Sequence, residues 1–508
     1  MFSAVDLATN IALSVAILFA SRFLWNYVRS PLKSFPGPLA TSCTNIWRFW
    51  DVFRGRCDIT QLALHRKYGS AVRVGPNVLS LSDPKLIGLV YNTRNPWIKS
   101  SMYNVNDVVI GGARLSNLFS SQDEKWHSTF IRPVKNMYSM SRVQEVEGTM
   151  DVTIKLLFDK LRAKFVSTGQ TCEMSDWINF FAWDTMSQAT FSQDLGILEA
   201  GSDDKGFLRN SDRTLDYFAS ICQIPLLDRF FDKNPIMRIG PPTFAWANIF
   251  SLGQLQKRYQ EENKDTKQDY LAKFLEIKEK NPELVDDNVI ILWLLSNVLA
   301  GSDSTAYTMS AAIYYILKHP EVHKKLCAEL RGANLSLPAK WKDIQGLKYL
   351  EAVMRESMRV HPGVGLILER VVPKGGLSLP DGRFVPEGVV VGMNPWVINK
   401  NEAVFGANPD NFIPERWLQT SGESDEVYQA RFSKMKGTDM TFGAGSRACL
   451  GQYLSQLESY KLIATMFSTF DVELLSPDHE MKIINSWFVR TENLPVRLSE
   501  RKDGAVFV

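Results

Sequence analysis

The chain has 508 residues, 45% of them hydrophobic and 22% charged, with a formal net charge of +3 at pH 7. This size and composition provide for a large buried core and exclude a disordered chain. The charge balance is too weak to indicate a nucleic-acid-binding surface, and the sequence has no dense basic run, zinc-ligand spacing or phosphate-binding loop.

The first predicted element is an apolar helix over residues 7–27, LATNIALSVAILFASRFLWNY. Its length suits one bilayer span, and Arg22 near its end can reach the headgroups. Asp6 precedes the helix and basic residues follow it, which predicts a retained membrane anchor, residues 1–28, with the remaining chain in the cytosol. A cleaved signal peptide is the alternative, although the basic residues lie on the wrong side of the apolar run. The proline-rich segment 29–40 is either a simple linker or a rigid hinge.

Residues 41–508 are predicted to form one mainly α-helical body with small β-sheets, an α+β class. A helix over 59–69 precedes a strand pair around Gly75, and beyond Gly363 the chain has short strand-like pieces rich in Gly and Pro. Between them the pattern is mostly helical, with apolar repeats at helical spacing over residues 145–165, 177–191 and 254–278.

The longest predicted helix covers residues 286–317 and is apolar on nearly every face, so it is expected to run through the core. Its unbroken apolar run is too short for a second membrane span. Near its middle lies AGSDST, residues 300–305, where small residues open a groove and hydroxyls can bend the helix. Burying the carboxylate of Asp303 costs free energy unless water reaches it, and such a cost is typical of functional sites. The segment alone therefore fits either a solvated kink or a functional site.

Two charged motifs follow. In YLEAVMRESMRVHP, Glu356 and Arg359 are three residues apart and share one helical face, which by itself is most simply a surface ion pair. NFIPERW then supplies Arg416.

The most specific stretch is TFGAGSRACLG, residues 441–451. Dense glycines remove side chains where a backbone lies against a flat or bulky group. Cys449 stands just before a helical run, where a thiolate is electrostatically favoured. The other five cysteines have no comparable context and are expected to be separate reduced thiols. The pattern predicts a cysteine ligand presented to a metal cofactor.

AGSDST, ESMR, PERW and FGAGSRACLG, in this order, resemble the four signature elements of the cytochrome P-450 family of haem-thiolate monooxygenases. The resemblance extends over essentially the whole chain and implies a triangular helical domain around a buried haem b (iron protoporphyrin IX). In overall style the sequence is similar to fungal secondary-metabolism members, the pisatin demethylase-like group.

The resemblance also implies roles for individual residues. Cys449 is the implied axial ligand of the iron, and Asp303 with Ser304 or Thr305 is implied in proton delivery. Ser304 takes the place of the usual threonine, so either hydroxyl can serve. Glu356, Arg359 and Arg416 correspond to a buried structural charge triad. The remaining residues implied to contact the haem are Phe442, Gly443, Gly445, Gly451, Arg447, Arg370, Trp126, His127 and Arg132.

The implied activity is hydroxylation or another oxidation of a lipophilic small molecule with O2. No flavin or nicotinamide domain is visible, so electrons are expected from a separate NADPH-dependent reductase, with cytochrome b5 as a further partner, at the endoplasmic reticulum membrane. The substrate is expected to be a terpenoid, in particular a sesquiterpenoid, with a phenolic or polyketide scaffold second. A haem-thiolate isomerase or dehydratase, a haem sensor and a haem-free helical membrane protein are the alternatives. Pocket walls are expected from residues 103–118, 295–300, 364–368 and 487–488.

Overall fold

The computed structural model describes residues 4–110, 113–240, 245–261 and 267–501. Residues 1–3 of the predicted anchor and 502–508 of the predicted body lie outside the described residues. So do residues 111–112 of the predicted pocket segment and 262–266 of a predicted helical repeat.

The described chain is mainly helical. Its α-helices are α1 (Ala4–Arg29), α2 (Ile46–Phe53), α3 (Cys57–Tyr68), α4 (Ile87–Val90), α5 (Glu124–Lys135), α6 (Met140–Val143), α7 (Glu147–Leu161), α8 (Met174–Phe191), α9 (Ile197–Ala200), α10 (Phe207–Ile221), α11 (Leu226–Phe230), α12 (Ala245–Gln260), α13 (Tyr270–Lys280), α14 (Asp287–Lys318), α15 (Pro320–Gly332), α16 (Trp341–Ile344), α17 (Lys348–Val360), α18 (Pro395–Ile398), α19 (Glu402–Phe405), α20 (Asp425–Thr438) and α21 (Gln452–Thr469).

Small sheets flank the helices. The strands are β1 (Ala71–Gly75), β2 (Val78–Leu81), β3 (Val108–Ile110), β4 (Ala113–Leu115), β5 (Cys172–Glu173), β6 (Arg370–Val371), β7 (Leu377–Ser378), β8 (Phe384–Val385), β9 (Val390–Met393), β10 (Phe470–Leu474), β11 (Lys482–Asn485), β12 (Val489–Glu492) and β13 (Pro495–Glu500). The largest sheet among the described residues has the order β1-β2-β9-β6, with β2 and β9 parallel. The predicted α+β class is therefore confirmed.

The core is built around α14, the predicted central helix. It begins where the Asp286 side chain accepts a hydrogen bond from the Val289 N–H (2.9 Å), and Pro320 starts the next helix just beyond its end. Within the described residues, α14 is the one helix that passes a length-and-hydropathy test for a membrane span, yet 56% of its apolar window is buried inside the protein. It is a core helix, as predicted.

The helical repeat predicted over residues 254–278 is divided between two helices. Helix α12 ends at Gln260 and α13 begins at Tyr270. Asp269 caps α13 by accepting a hydrogen bond from the Ala272 N–H at 2.9 Å. Apolar residues at helical spacing mark a buried face whether they belong to one helix or to two. The repeat therefore does not indicate where α12 ends and α13 begins.

Candidate active site

A cavity of about 310 Å³ separates the middle of α14 from the loop that precedes α21. The helix contributes Gly301, Ser304 and Thr305 to one wall, and the loop contributes Phe442 and Cys449 to the opposite wall. The structure thus brings the AGSDST and FGAGSRACLG segments face to face.

The loop before α21 is held in shape by backbone contacts. The Cys449 N–H donates to the Phe442 carbonyl at 2.8 Å. Gly443 and Gly445 have φ values of +69° and +72°, which disfavour any side chain. A Cβ at residue 445 would lie 2.0 Å from the Tyr91 carbonyl oxygen. The glycine at 445 is therefore explained by packing against Tyr91, a cause that the sequence does not reveal.

Cys449 is enclosed by protein, but its side chain opens on the cavity. Burial raises the pKa of this thiol, while a hydrogen bond from the Gly451 N–H lowers it. The other five cysteines are free thiols and are absent from the described cavity wall, as the sequence predicts.

One end of the cavity is cationic. Lys99, His127 and Arg447 line it, and Arg370 is buried nearby. Burial, followed by the positive charges of Arg447, Lys99 and Arg370, lowers the pKa of His127 to about 3. An anionic group placed at this end would be stabilised by the surrounding positive charge.

Lys99 is a site residue that the sequence did not identify. Its ammonium is buried, donates to the Phe119 carbonyl and lies 4.2 Å from the centre of the Tyr103 ring. Burial lowers the pKa of this group well below its usual range. Among the described residues it has no ion-pair partner. A lone lysine in PWIKSSMY carries no motif, so only the fold reveals its position.

Two of the three arginines implied in haem binding, Arg447 and Arg370, are firmly held by the protein. Arg447 forms a 2.8 Å ion pair with Glu124 and donates to the carbonyls of Leu118 and Ser121 at 3.1 and 2.9 Å. Arg370 donates to the Glu369 carbonyl at 2.8 Å, and its guanidinium lies 5.1 Å from the Tyr91 ring centre. Arg447 lines the cavity, whereas Arg370 lies behind the lining residues.

Of the three residues predicted on helix α5 to contact the haem, His127 lines the cavity, whereas Trp126 and Arg132 do not. His127, Ile131 and Val134 line the cavity, at the i, i+4, i+7 spacing of one helical face. Trp126 instead packs against Phe130, with ring centres 4.6 Å apart, and Arg132 is exposed. The structure does not bring Trp126 or Arg132 to the cavity, because both lie off the face that α5 turns inward.

The predicted catalytic residues of α14 are Asp303, Ser304 and Thr305, and they do not all face the cavity. Ser304 donates to its own helix at the Ala300 carbonyl (2.6 Å), and Thr305 contacts the Ser455 hydroxyl at 3.2 Å. Both line the cavity. Asp303 is buried behind this wall, and burial, with the charge of Asp212, raises its pKa to about 7.

The structure brings together the predicted charge triad. Glu356 pairs with Arg359 at 2.7 Å and with Arg416 at 2.8 Å. The Trp417 indole N–H and the Ile413 N–H also donate to this carboxylate, both at 2.9 Å. These contacts connect α17 to the segment that leads towards the cysteine loop.

The site fits a large, mostly apolar, metal-containing group with anionic substituents. The walls are largely apolar, a cysteine sulfur opens on one face, and the cationic end has more buried positive groups than carboxylates to pair them. A single cysteine without other protein ligands suits a metal that brings its own ring of ligands, as haem does. Fold and site together define a haem-thiolate protein.

Comparison with known proteins agrees. Residues 41–497 match the family described as cytochrome P-450. The chain is 38% identical to the cytochrome P-450 monooxygenase cfoH of Aspergillus candidus, over 100% of this chain and 96% of the relative. It is 35% identical to the cytochrome P-450 monooxygenase cicH of Emericella nidulans, over 97% of this chain and 99% of the relative. The chain belongs to the cytochrome P-450 family. It is a monooxygenase, an oxidoreductase with a haem-iron cofactor, as the sequence predicted.

Proposed function

We propose that this monooxygenase oxidises a lipophilic terpenoid in fungal secondary metabolism, with haem b as its cofactor. The observation that carries the proposal is the Cys449 sulfur opening on a largely apolar cavity directly opposite the hydroxyls of α14. When bound, the haem supplies the activation of O2. The protein supplies the ligand, the pocket and the protons.

The cofactor contacts follow from the lining residues. Cys449 would hold the iron, and the flat approach over Phe442, Gly443 and Gly451 would seat the ring. Lys99, His127 and Arg447 would face the carboxylates of haem b, with Arg370 as a more distant positive charge. Burial and the neighbouring positive charges favour the neutral form of His127, in which one ring nitrogen can donate a hydrogen bond.

The substrate class is supported by a second chamber of about 130 Å³ that adjoins the main cavity. Aliphatic side chains of Leu215, Leu292, Leu295 and Leu299 line it, and no charged side chain is present in its described wall. Such walls stabilise a hydrocarbon skeleton with few polar groups, as terpenoids have. The predicted pocket segments at residues 295–300 and 487–488 contribute to both cavities.

A phenolic or polyketide substrate is the second candidate, favoured by one specific feature. A cluster of edge-to-face contacts, with ring centres 5.1 to 6.1 Å apart, joins Tyr103, Phe119, Phe218 and Trp487. Two of its members, Phe119 and Trp487, line both cavities. Aromatic edges and faces of this kind also suit a flat aromatic ligand.

The membrane location is proposed from exposed apolar side chains. Leu18, Phe19 and Leu24 on α1 are more than half exposed, and a second exposed apolar set lies at α11 and the loop after it. That set contains Leu226, Phe230, Ile236, Met237 and Ile239. We infer a single-pass anchor in the endoplasmic reticulum membrane with the catalytic body in the cytosol. There an NADPH-dependent reductase, aided by cytochrome b5, would supply electrons.

The function is tested by co-expressing the full chain with a fungal NADPH-dependent reductase and supplying candidate terpenoids and phenolics under labelled O2. The expected result is a product that carries one labelled oxygen atom and forms only with reductase and NADPH. Conversion without reductase, or a rearranged product without label, would instead favour a haem-thiolate isomerase or dehydratase.

A further inference from the structure

The direction in which Asp303 points is unexpected for an acid that delivers protons to the main cavity. Its Oδ1 accepts from the Trp183 indole N–H at 2.8 Å, and its Oδ2 contacts the Ser211 hydroxyl at 2.6 Å. Trp183 lies on α8 and Ser211 on α10, so the carboxyl faces the interface of these helices with α14. On α8, the neighbouring Asp184 carboxylate is bonded to backbone N–H groups and does not contact Asp303 among the described contacts.

Ser211 connects this buried carboxyl to open space. It is 1% exposed to bulk solvent, yet it lines the 130 Å³ side chamber. The chamber shares Ser296, Ala300 and Trp487 with the main cavity. Ser211 therefore contacts Asp303 through its hydroxyl and also forms part of the wall of the side chamber.

A second carboxyl stands on the outer side of Asp303. Asp212 accepts from the Tyr307 hydroxyl at 3.0 Å and pairs with Arg490 of β12 at 2.9 Å. Arg490 also contacts Asp216 of α10 at 3.4 Å and Glu492 of β12 at 2.9 Å. The side chains of Asp212 and Asp216 are 33% and 48% exposed, so this cluster meets bulk water.

We propose that Ser211 is the proton-relay residue between Asp303 and the substrate space, and that Asp212, held by Arg490 and Tyr307, is a positioning residue that sets the protonation of Asp303. This inference rests on the proposed role of Asp303 in the monooxygenase. It adds a route on the α10 side of the central helix to the one offered by Ser304 and Thr305.

The proton balance of the route is simple. With Asp303 ionised, Ser211 donates its hydrogen to the carboxylate. With Asp303 protonated, the Asp303 O–H donates to Ser211, and the Ser211 hydrogen is free to point into the chamber. Transfer breaks the Ser211 O–H bond as its proton passes to a water molecule in the chamber, while the Asp303 proton moves to Ser211 and restores its hydroxyl. Asp303 is left as a carboxylate and takes up a proton from solvent in a separate step.

The charge of Asp212 has a defined effect on this relay. Burial and then the negative charge of Asp212 raise the pKa of Asp303 from the ordinary 3.8 to about 7, while the hydrogen bonds from Ser211 and Trp183 and the charge of Arg490 lower it. Around pH 7 the carboxyl is thus divided between its acid and base forms and can both give and take a proton. Removing the charge of Asp212 lowers the pKa of Asp303 and depletes the acid form at neutral pH.

The first test compares Ser211→Ala with Ser302→Ala in the full holoenzyme with reductase. Ser302 is a buried hydroxyl next to Asp303 that donates only to its own helix, at Val298 (2.7 Å). We expect Ser211→Ala to lower the ratio of product formed to NADPH consumed by about tenfold and to change the solvent isotope effect on turnover. Ser302→Ala should change neither. Wild-type coupling and isotope effect in Ser211→Ala would overturn the relay.

The second test needs no turnover. Infrared difference spectra of the resting protein, with Asp303→Asn to assign the band, report the protonated Asp303 carboxyl as pH is varied. The wild-type midpoint is expected near 7, and Asp212→Asn should move it to lower pH. Asp216→Asn, which removes an outer carboxylate on the same helix, should leave it in place. An unshifted midpoint in Asp212→Asn would overturn the role of Asp212.

The two failures are distinguishable. If the carbon-monoxide spectrum of the wild-type protein lacks the haem-thiolate band, the proposed function fails, and the infrared titration still reports the carboxyl pair. If that band is normal while Ser211→Ala couples like the wild type, only the relay fails.

Discussion

Glu356 is an acid of the protein interior with several hydrogen-bond donors around its carboxylate. Its carboxylate receives hydrogen bonds from two arginines, an indole and a backbone N–H, and its side chain is fully buried. Replacing one partner of such a network leaves buried charge without compensation. We therefore expect Glu356→Gln, which preserves the shape but removes the charge, to lower the free energy of unfolding by about 3–5 kcal/mol. Thermal unfolding and the haem content of the purified protein measure the loss.

The matched control is Glu351→Gln on the same helix, one turn and a half earlier. Glu351 pairs with Arg355 at 2.8 Å, but its side chain is 42% exposed. An exposed pair of this type is worth about 0.3–0.5 kcal/mol. Similar losses in the two variants would contradict the assignment of Glu356 as the buried hub.

For single residues, the sequence is informative where the spacing within a motif places two side chains on the same face of a helix. The i, i+3 spacing of Glu356 and Arg359 was visible, and the family resemblance implied Arg416 as their third member, which the structure places on the same carboxylate. No motif in the sequence indicates Lys99 or Ser211, because each is an isolated residue whose importance comes from contacts with distant segments. Arg132 shows the reverse: a plausible position in a motif, on a helix face that the fold turns to solvent.

Among the elements, the loop before α21 is constrained at Gly443 and Gly445, which both have a left-handed backbone. Gly445 combines a left-handed backbone with a contact that would place any Cβ 2.0 Å from the Tyr91 carbonyl. We expect Gly445→Ala to displace the loop and to destabilise the protein by more than about 1–3 kcal/mol, since strain and steric overlap add. The measurement is the fraction of purified protein that retains haem, together with its unfolding temperature.

Gly437→Ala provides the comparison. Gly437 lies inside α20 with nothing within 4 Å of a built Cβ, so alanine should be neutral or stabilising by about 1 kcal/mol through helix propensity. Equal behaviour of the two variants would contradict a steric requirement at 445.

The two ends of α14 were predicted well from the sequence, whereas the boundary between α12 and α13 was not. For α14, acids at the start and a proline after the end marked both limits, and the helix falls within one residue of them. For α12 and α13, one apolar repeat ran across the break. The pattern shows which residues are buried, whereas the break depends on the cap at Asp269.

At the scale of the whole molecule, α1 and the body are joined by a side-chain contact, from Asn26 to the Cys43 carbonyl at 2.7 Å. If α1 is the membrane anchor, a variant lacking residues 1–28 should fold and bind haem but leave the membrane fraction in large part. The exposed apolar side chains around Leu226 and Ile236 should keep part of the truncated protein on the membrane. That part should be the same at low and high salt, because the contact is apolar. Replacing Leu226 and Ile236 by serine in the truncated variant should release that remainder. Full membrane retention after both changes would contradict the anchor.

The whole account depends on the bond between the sulfur of residue 449 and a haem iron. The most direct measurement is the absorption spectrum of the purified, dithionite-reduced protein under carbon monoxide, for the wild type and for Cys449→Ala. We predict the red-shifted Soret band of a thiolate-bound haem in the wild type and its loss in the variant. A wild-type protein without that band, or a variant that keeps it, would contradict the account.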